Sequence, residues 1–229
     1  MKIIGVYEKT LDIAHNISTV CIEALFPSRC VGCGVLGTHL CSSCLSHIEP
    51  SETPPFPETY AVWSYRDTLA HTILWKLKYR SQTALADVAA HALTDILTEI
   101  IAETSLMESN RKPILVPIPL SPAREKERGY NQSALIVKSL MRLMDNEIAD
   151  SNGMLTKTRD TQSQMATKDR KTRLENLRGA FSVSNSAHVA GRVVIVIDDV
   201  TTTGATFAEA RRTLKEAGAQ KIICCAVAH

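Results

Sequence analysis

Two short stretches of this chain place reactive groups at spacings that chemistry can use. The first is "VVIVIDDVTTTGAT", Val193 to Thr206. A run of five β-branched residues ends in adjacent carboxylates, Asp198 and Asp199, and a hydroxyl-rich turn follows. In an open parallel sheet, ligands gather outside the carboxyl ends of the strands. A helix beginning near Phe207 would offer its first amides and a partial positive charge to an anion. From Val200 the turn runs through Thr201, Thr202, Thr203, Gly204, Ala205 and Thr206: the threonines add hydroxyl donors and the glycine lets a ligand reach the backbone. The carboxylates repel a phosphate, but they accept hydrogen bonds from sugar hydroxyls or hold Mg²⁺ against a ligand. A phosphate at one end and a vicinal diol at the other, the shape of ribose 5-phosphate, fits both halves. The same residues also describe a plain strand end followed by a helix. No G-x-x-x-x-G-K-[ST] sequence occurs to offer a Walker-type phosphate loop.

The second stretch is "CVGCGVLGTHLCSSC", with Cys30 and Cys33 as one C-x-x-C pair and Cys41 and Cys44 as another. Each pair closes a tight turn that aims two thiolates at one point, and four complete a tetrahedral zinc shell. With every ligand from protein, such a zinc has no open position and organises folding instead of performing hydrolysis. His39 and His47 lie near enough to substitute for a cysteine, and redox dithiols or ordinary buried cysteines are the plainer alternative. Gly32, Gly34 and Gly37 spell G-x-G-x-x-G, but no strand precedes them and the cysteines interrupt them, so no dinucleotide site is expected.

Three basic segments could face an anion. Arg124, Lys126 and Arg128 lie in "VPIPLSPAREKERGYNQSALI", where Glu125 and Glu127 alternate with them as they would in a solvated turn. Guanidinium forks there would suit a pyrophosphate. From Lys157 to Arg178 the chain holds seven Lys/Arg against three Asp/Glu, which fits a basic loop over an anionic ligand or a plain surface loop. Lys76, Lys78 and Arg80 form the third group.

The elements needed to carry these groups are legible in outline. Helical apolar spacing runs through "LAHTILWKLKYR", "TALADVAAHALTDILTEIIAE", "NQSALIVKSLMRLM" and "TFAEARRTLKEAGA"; "PILVPIPL", "GRVVIVID" and "KIICCAVA" read as strands. Strands alternating with helices predict an α/β fold with a parallel sheet covered on both faces. Residues 1–50 are expected to form an amphipathic helix (Leu11 to Phe26) and a four-cysteine zinc module, residues 51–60 a proline-rich linker, and residues 61–229 the main domain. Cys21 would pack in that helix, while Cys224 and Cys225 would face opposite sides of the last strand. A length of 229 residues suits one such core and a small accessory module. The net charge of +2 argues against wholesale nucleic-acid binding, and aromatics at 5% make base stacking no general theme. No run of eighteen apolar residues supports a membrane span, no secretory signal is evident, and the cytoplasm is the expected compartment.

Val194 to Thr206 resembles the thirteen-residue 5-phosphoribosyl-1-pyrophosphate (PRPP) motif of type I phosphoribosyltransferases at every position. The order of "LFPSRC" with the double C-x-x-C, "LKYR", "VPIPL", "RGYNQ", the basic "RDTQSQ…GAF" segment and the terminal motif is similar to that of the ComF competence-protein family, which includes gluconate-utilisation relatives. The resemblance implies a type I phosphoribosyltransferase-like sheet with an N-terminal zinc finger. It further implies that Asp198 and Asp199 hold the ribose hydroxyls, that Thr201 to Thr206 hold the 5-phosphate, and that Arg124, Arg128 and Asn131 serve the pyrophosphate. Structural Zn²⁺ and Mg²⁺ carried with PRPP are the implied metals. A link to DNA uptake is implied as well, either as an enzyme with an unidentified acceptor or as a PRPP sensor whose partner is single-stranded DNA or a competence-machinery protein.

Overall fold

A computed structural model describes residues 27–52, 54, 56–107, 111–145, 147–150, 153–159 and 176–229. The expected amphipathic helix with Cys21, and the interior of the basic 157–178 segment, lie outside these residues. The chain divides into two compact units, Met1–His47 and Ile48–His229.

The described part of the first unit is a knuckle followed by one helical turn. Cys30 to Gly34 form a tight turn in which the Gly34 amide donates to the Cys30 carbonyl at 2.9 Å. Helix α1, Ser42–Leu45, is capped by Cys41, whose sulfur accepts from the Cys44 amide.

The second unit is built on five parallel strands in the order β1-β7-β6-β2-β3. They are β1 Thr59–Trp63, β2 Ile114–Pro117, β3 Ala149–Asp150, β6 Val193–Val200 and β7 Lys221–Ala228. Strand β6 sits in the middle because its Val193–Ile197 run is apolar on both faces and fully covered on both. Burying a Val or Ile side chain contributes about 1.5–3 kcal/mol, so such a run is stable only at the centre. Residues of one parity, among them Val194, Val196, Cys224 and Ala226, pack with Phe207, Ala210 and Leu214 of helix α7, Ala205–Glu216. A short antiparallel pair, β4 Leu155–Lys157 with β5 Phe181–Val183, joins that layer. The other face carries α2 Thr68–Tyr79, α3 Leu85–Met107 and α5 Gln132–Leu143. Two short helices, α4 Pro122–Arg128 and α6 Ser186–Val189, complete the described elements. Cys224 and Cys225 are both buried, as expected of neighbours on opposite faces of an interior strand.

The proline-rich stretch differs from the free linker that its composition suggests. Thr59 and Tyr60 already belong to β1, which pairs with β7 from Thr59↔Cys224 to Trp63↔Ala228. Upstream, the Ser51 amide donates to Val62 at 2.8 Å and Pro50 bridges Trp63. The prolines precede the strand, and Thr59–Trp63 itself contains none.

Leaving β2 the chain turns through α4 and α5 to reach β3; leaving β6 it turns through α7 to β7 on the opposite face. The order of the sheet therefore reverses between β2 and β6, and it is outside the carboxyl ends of the strands at such a point that α/β sheets bind ligands.

Candidate functional site

At this point the carboxylates that end β6 meet the first turn of α5, which follows β2. Asp198 and Asp199 are buried at the end of β6, at 8% and 3% exposure. Burying two adjacent carboxylates is costly unless charge and hydrogen bonds compensate. The compensation comes from two other elements. Lys78, at the carboxyl end of α2, places Nζ 2.5 Å from Asp199 Oδ2. The first turn of α5 supplies the Ser133 hydroxyl, which donates to Asp198 Oδ1 at 2.9 Å, and the Gln132 amide, 3.5 Å from Asp199 Oδ1. The positive end of the α5 dipole adds to this field. Asp198 Oδ1 also accepts from the Asp199 backbone amide at 2.9 Å.

Burial and the adjacent Asp199 carboxylate push the Asp198 carboxyl up to about 8, against the opposing pull of Lys78 and the Ser133 hydroxyl. Burial alone would lower Lys78; the attraction of Asp199 outweighs it and raises the ammonium above its usual range. The raised Asp198 carboxyl and the Lys78 cation both ease the burial of charge at this strand end.

The turn after the carboxylates leads directly into the start of a helix. Thr201 is buried and its amide donates to Ala228 at 3.0 Å, while its carbonyl contacts the His229 ring at 3.1 Å. Gly204 takes φ +70°, a left-handed value that favours glycine, and caps α7 without any side-chain hydrogen bond. A Cβ at Gly204 would lie 2.9 Å from the Phe56 ring, so the ring and the turn are in close contact. The helix starts at Ala205, two residues before the expected Phe207, and its first amides have no acceptor within the helix.

The residues of the β2 exit take several parts. Asn131 caps α5, its Oδ1 accepting from the Ser133 and Ala134 amides, while its Nδ2 donates to the Ile118 carbonyl at 2.9 Å. It thereby fixes the exit of β2 to the helix that carries Ser133. Arg128 donates to the Gln132 side chain and stacks 5.2 Å from the centre of the Tyr79 ring. Arg124 is half-buried on α4. Tyr130 donates from its hydroxyl to the Leu77 carbonyl, tying this turn to the end of α2.

The sequence assigned Ser133 no role and marked Lys78 only within a basic group that could face an anion; here both contact the carboxylate pair. Lys78 prolongs the buried stripe Ala70, Ile73, Leu74 and Leu77. A lysine on the apolar side of an amphipathic helix is the signal that marks it.

The donor set does not form a magnesium site of its own. One Asp199 oxygen is paired with Lys78, and Asp198 is hydrogen-bonded on the oxygen that faces Ser133. Among the described residues the four cysteines are the only group of three or more His, Cys, Asp or Glu ligands close enough to share an ion.

That cysteine cluster does fit a metal such as zinc. Its four sulfurs lie within 4.8 Å of one another, with Cys30–Cys41 and Cys33–Cys41 both at 3.7 Å. A tetrahedral centre with Zn–S bonds near 2.3 Å requires sulfur separations of roughly 3.8 Å. Burial raises the Cys30 thiol, but backbone donors around the knuckle outweigh it and bring it to about 6; contact with Cys41 pushes Cys44 up to about 12. His47 hydrogen-bonds the Ser43 carbonyl through Nδ1 at 2.5 Å, and among the described residues the group close enough to share an ion consists of the four cysteines.

Comparison with known proteins agrees with this geometry. Residues 131–229, which contain Asn131, Ser133, both carboxylates and the threonine turn, match the phosphoribosyl transferase domain family. The fold is thus of the type I phosphoribosyltransferase kind. The DNA utilization protein YhgH of Escherichia coli K12 is 30% identical over 93% of this chain and 90% of its own length. Competence protein F of Haemophilus influenzae is 27% identical over 83% of this chain and 81% of its own, and competence protein ComFC of Bacillus subtilis is 28% identical over 69% and 58%. The chain belongs to the ComF family of phosphoribosyltransferase-like proteins.

Proposed function

We propose that the protein binds PRPP as its magnesium complex at the carboxyl ends of β2 and β6 and transfers the phosphoribosyl group to a nitrogen acceptor. The observation that carries this reading is the sequence of groups along one line: a buried carboxylate pair, a left-handed glycine, and the uncapped start of the twelve-residue helix α7. Asp198 and Asp199 would accept from the 2- and 3-hydroxyls of the ribose. Amides and hydroxyls of Thr201 to Thr206 would hold the 5-phosphate. Arg124 and Arg128 would draw the pyrophosphate from the β2 side, with Asn131 holding that loop in place. Magnesium is part of the substrate in this reading, in keeping with a carboxylate pair already compensated by Lys78 and Ser133. In the transfer the C1–O bond to pyrophosphate breaks, the C1–N bond forms, and the acceptor nitrogen loses a proton. The fixed charges stabilise positive character at C1. Zinc on Cys30, Cys33, Cys41 and Cys44 would be structural, and the chain would act in the cytoplasm.

Titration calorimetry with magnesium and PRPP tests the site. Wild-type protein should bind, and Asp198→Asn with Asp199→Asn should weaken binding at least tenfold; indifference to both substitutions would refute the assignment. Pyrophosphate release over a panel of nucleobases and amines tests transfer.

A second reading is favoured by the names of the relatives, which speak of competence and DNA utilization. Here the site senses PRPP without turnover, and the protein acts on single-stranded DNA or a competence partner. PRPP binding without any pyrophosphate release, together with salt-sensitive binding of single-stranded DNA, would select it.

A further inference from the structure

A second cavity adjoins the carboxylate site. It measures about 490 Å³ and is lined by Tyr65, His71, Leu74, Trp75, Lys78 and Tyr79. Its size lies within the range of small-molecule pockets. Lys78 belongs to both places: it lines the cavity, and its Nζ is 2.5 Å from Asp199. The walls are aromatic in a chain where aromatics are only 5% of residues. Trp75 and Tyr79 are a helical i, i+4 pair with ring centres 6.0 Å apart, yet they remain 40% and 54% exposed. Such rings ordinarily gain by burial.

The surroundings say what would cover them. Arg80 lies over the Trp75 ring, 5.0 Å from its centre, and Arg128 over the Tyr79 ring at 5.2 Å, each cation on one face of its ring. Tyr65 and His71 form a tilted pair, 5.2 Å between centres, with hydrogen-bonding edges. Stacking faces, flanking cations and polar edges together suit a flat, polar heteroaromatic ring; an aliphatic or purely apolar partner would waste the cations. The end of α2 is also held in place, because Tyr130 donates to the Leu77 carbonyl.

We infer that the Trp75–Tyr79 cavity stacks an unpaired nucleobase beside the carboxylate site. The inference deepens the proposed function, since it names the acceptor class, and it rests on that reading only for this role: stacking itself does not require PRPP. The base can come from a free nucleobase or from a single strand, and the ring chemistry is the same.

The chain has two tryptophans, and Trp63 is 4% exposed. In a Trp63→Phe variant of the full chain, Trp75 alone reports. Its fluorescence is followed on adding adenine, a short single-stranded oligonucleotide, the abasic counterpart of that oligonucleotide, and ribose 5-phosphate. If Trp63→Phe does not fold, wild-type emission minus that of Trp75→Phe gives the same signal. Saturable quenching is expected from compounds bearing a base and not from those without one. Quenching by adenine supports the acceptor role, and quenching by the oligonucleotide alone supports the strand as source. By calorimetry, Trp75→Ala should weaken binding of the quenching compound at least about fivefold, and Trp75→Phe should largely retain it. No ring-dependent quenching, or binding unchanged in Trp75→Ala, overturns the inference. PRPP calorimetry on the same proteins keeps the two ideas separate: PRPP binding without ring stacking sinks only this one, and ring stacking without PRPP binding sinks only the transferase reading.

Discussion

Lys78 and Asp199 meet at 2.5 Å although α2 and β6 are far apart in sequence. The contact gives the carboxylate pair its only ion-pair cation among the described residues, and it explains how two acids remain buried in the middle of a sheet edge. It also makes the site sensitive to a residue outside the motif.

Lys78→Met should therefore destabilise the main domain by on the order of 3 kcal/mol, because it leaves a buried charge without a partner. Urea unfolding measures this. Combining it with Asp199→Asn should restore most of the loss; a double variant with additive losses would show that the two side chains are not coupled.

The raised Asp198 carboxyl makes a prediction about pH. Its folded value, about 8, exceeds the ordinary 3.8, so the folded state holds the proton more tightly. The resulting stability is complete below the ordinary value and is lost as pH climbs through the window up to about 8. Replacing Asp198 with Asn should flatten the fall of Tm across that window. An unchanged slope would place the titration elsewhere.

Gly204→Ala should cost about 1–2 kcal/mol from its left-handed backbone alone. The contact with the Phe56 ring adds to this. Affinity for ribose 5-phosphate should fall further than stability does, since the turn must shift. Calorimetry beside thermal unfolding separates the two effects.

For the cysteine cluster, metal analysis of purified protein should return about one zinc per chain. Cys41→Ser should abolish it, because this sulfur lies 3.7 Å from both Cys30 and Cys33. Folded protein with no bound metal would end the structural-zinc reading.

The parts of this architecture that were legible in the sequence are those encoded locally. Strand β6 shows itself as an uninterrupted β-branched run, α7 by its spacing, and the cysteine cluster by its two C-x-x-C pairs. The acidic and threonine residues were visible because they follow one another. Strand β1 was not legible: its stability comes from pairing with β7, and prolines mask its start. Ser133 was hidden because a serine in a helical first turn ordinarily reads as local structure. Lys78 was noticed only as a member of a basic group, since nothing in a linear reading connects it to Asp199.

The pairing of β1 with β7 joins segments from the two ends of the described main domain. The central ladder between β6 and β7 and the edge ladder at β1 can close only when the last strand is present. Loop-closure entropy makes such distant pairing slow. The cysteine knuckle, by contrast, draws its four sulfurs from fifteen consecutive residues. During synthesis the two units would therefore mature on different schedules, the knuckle with its sulfurs already in place while the main domain still lacks both its carboxylates and one wall of its sheet.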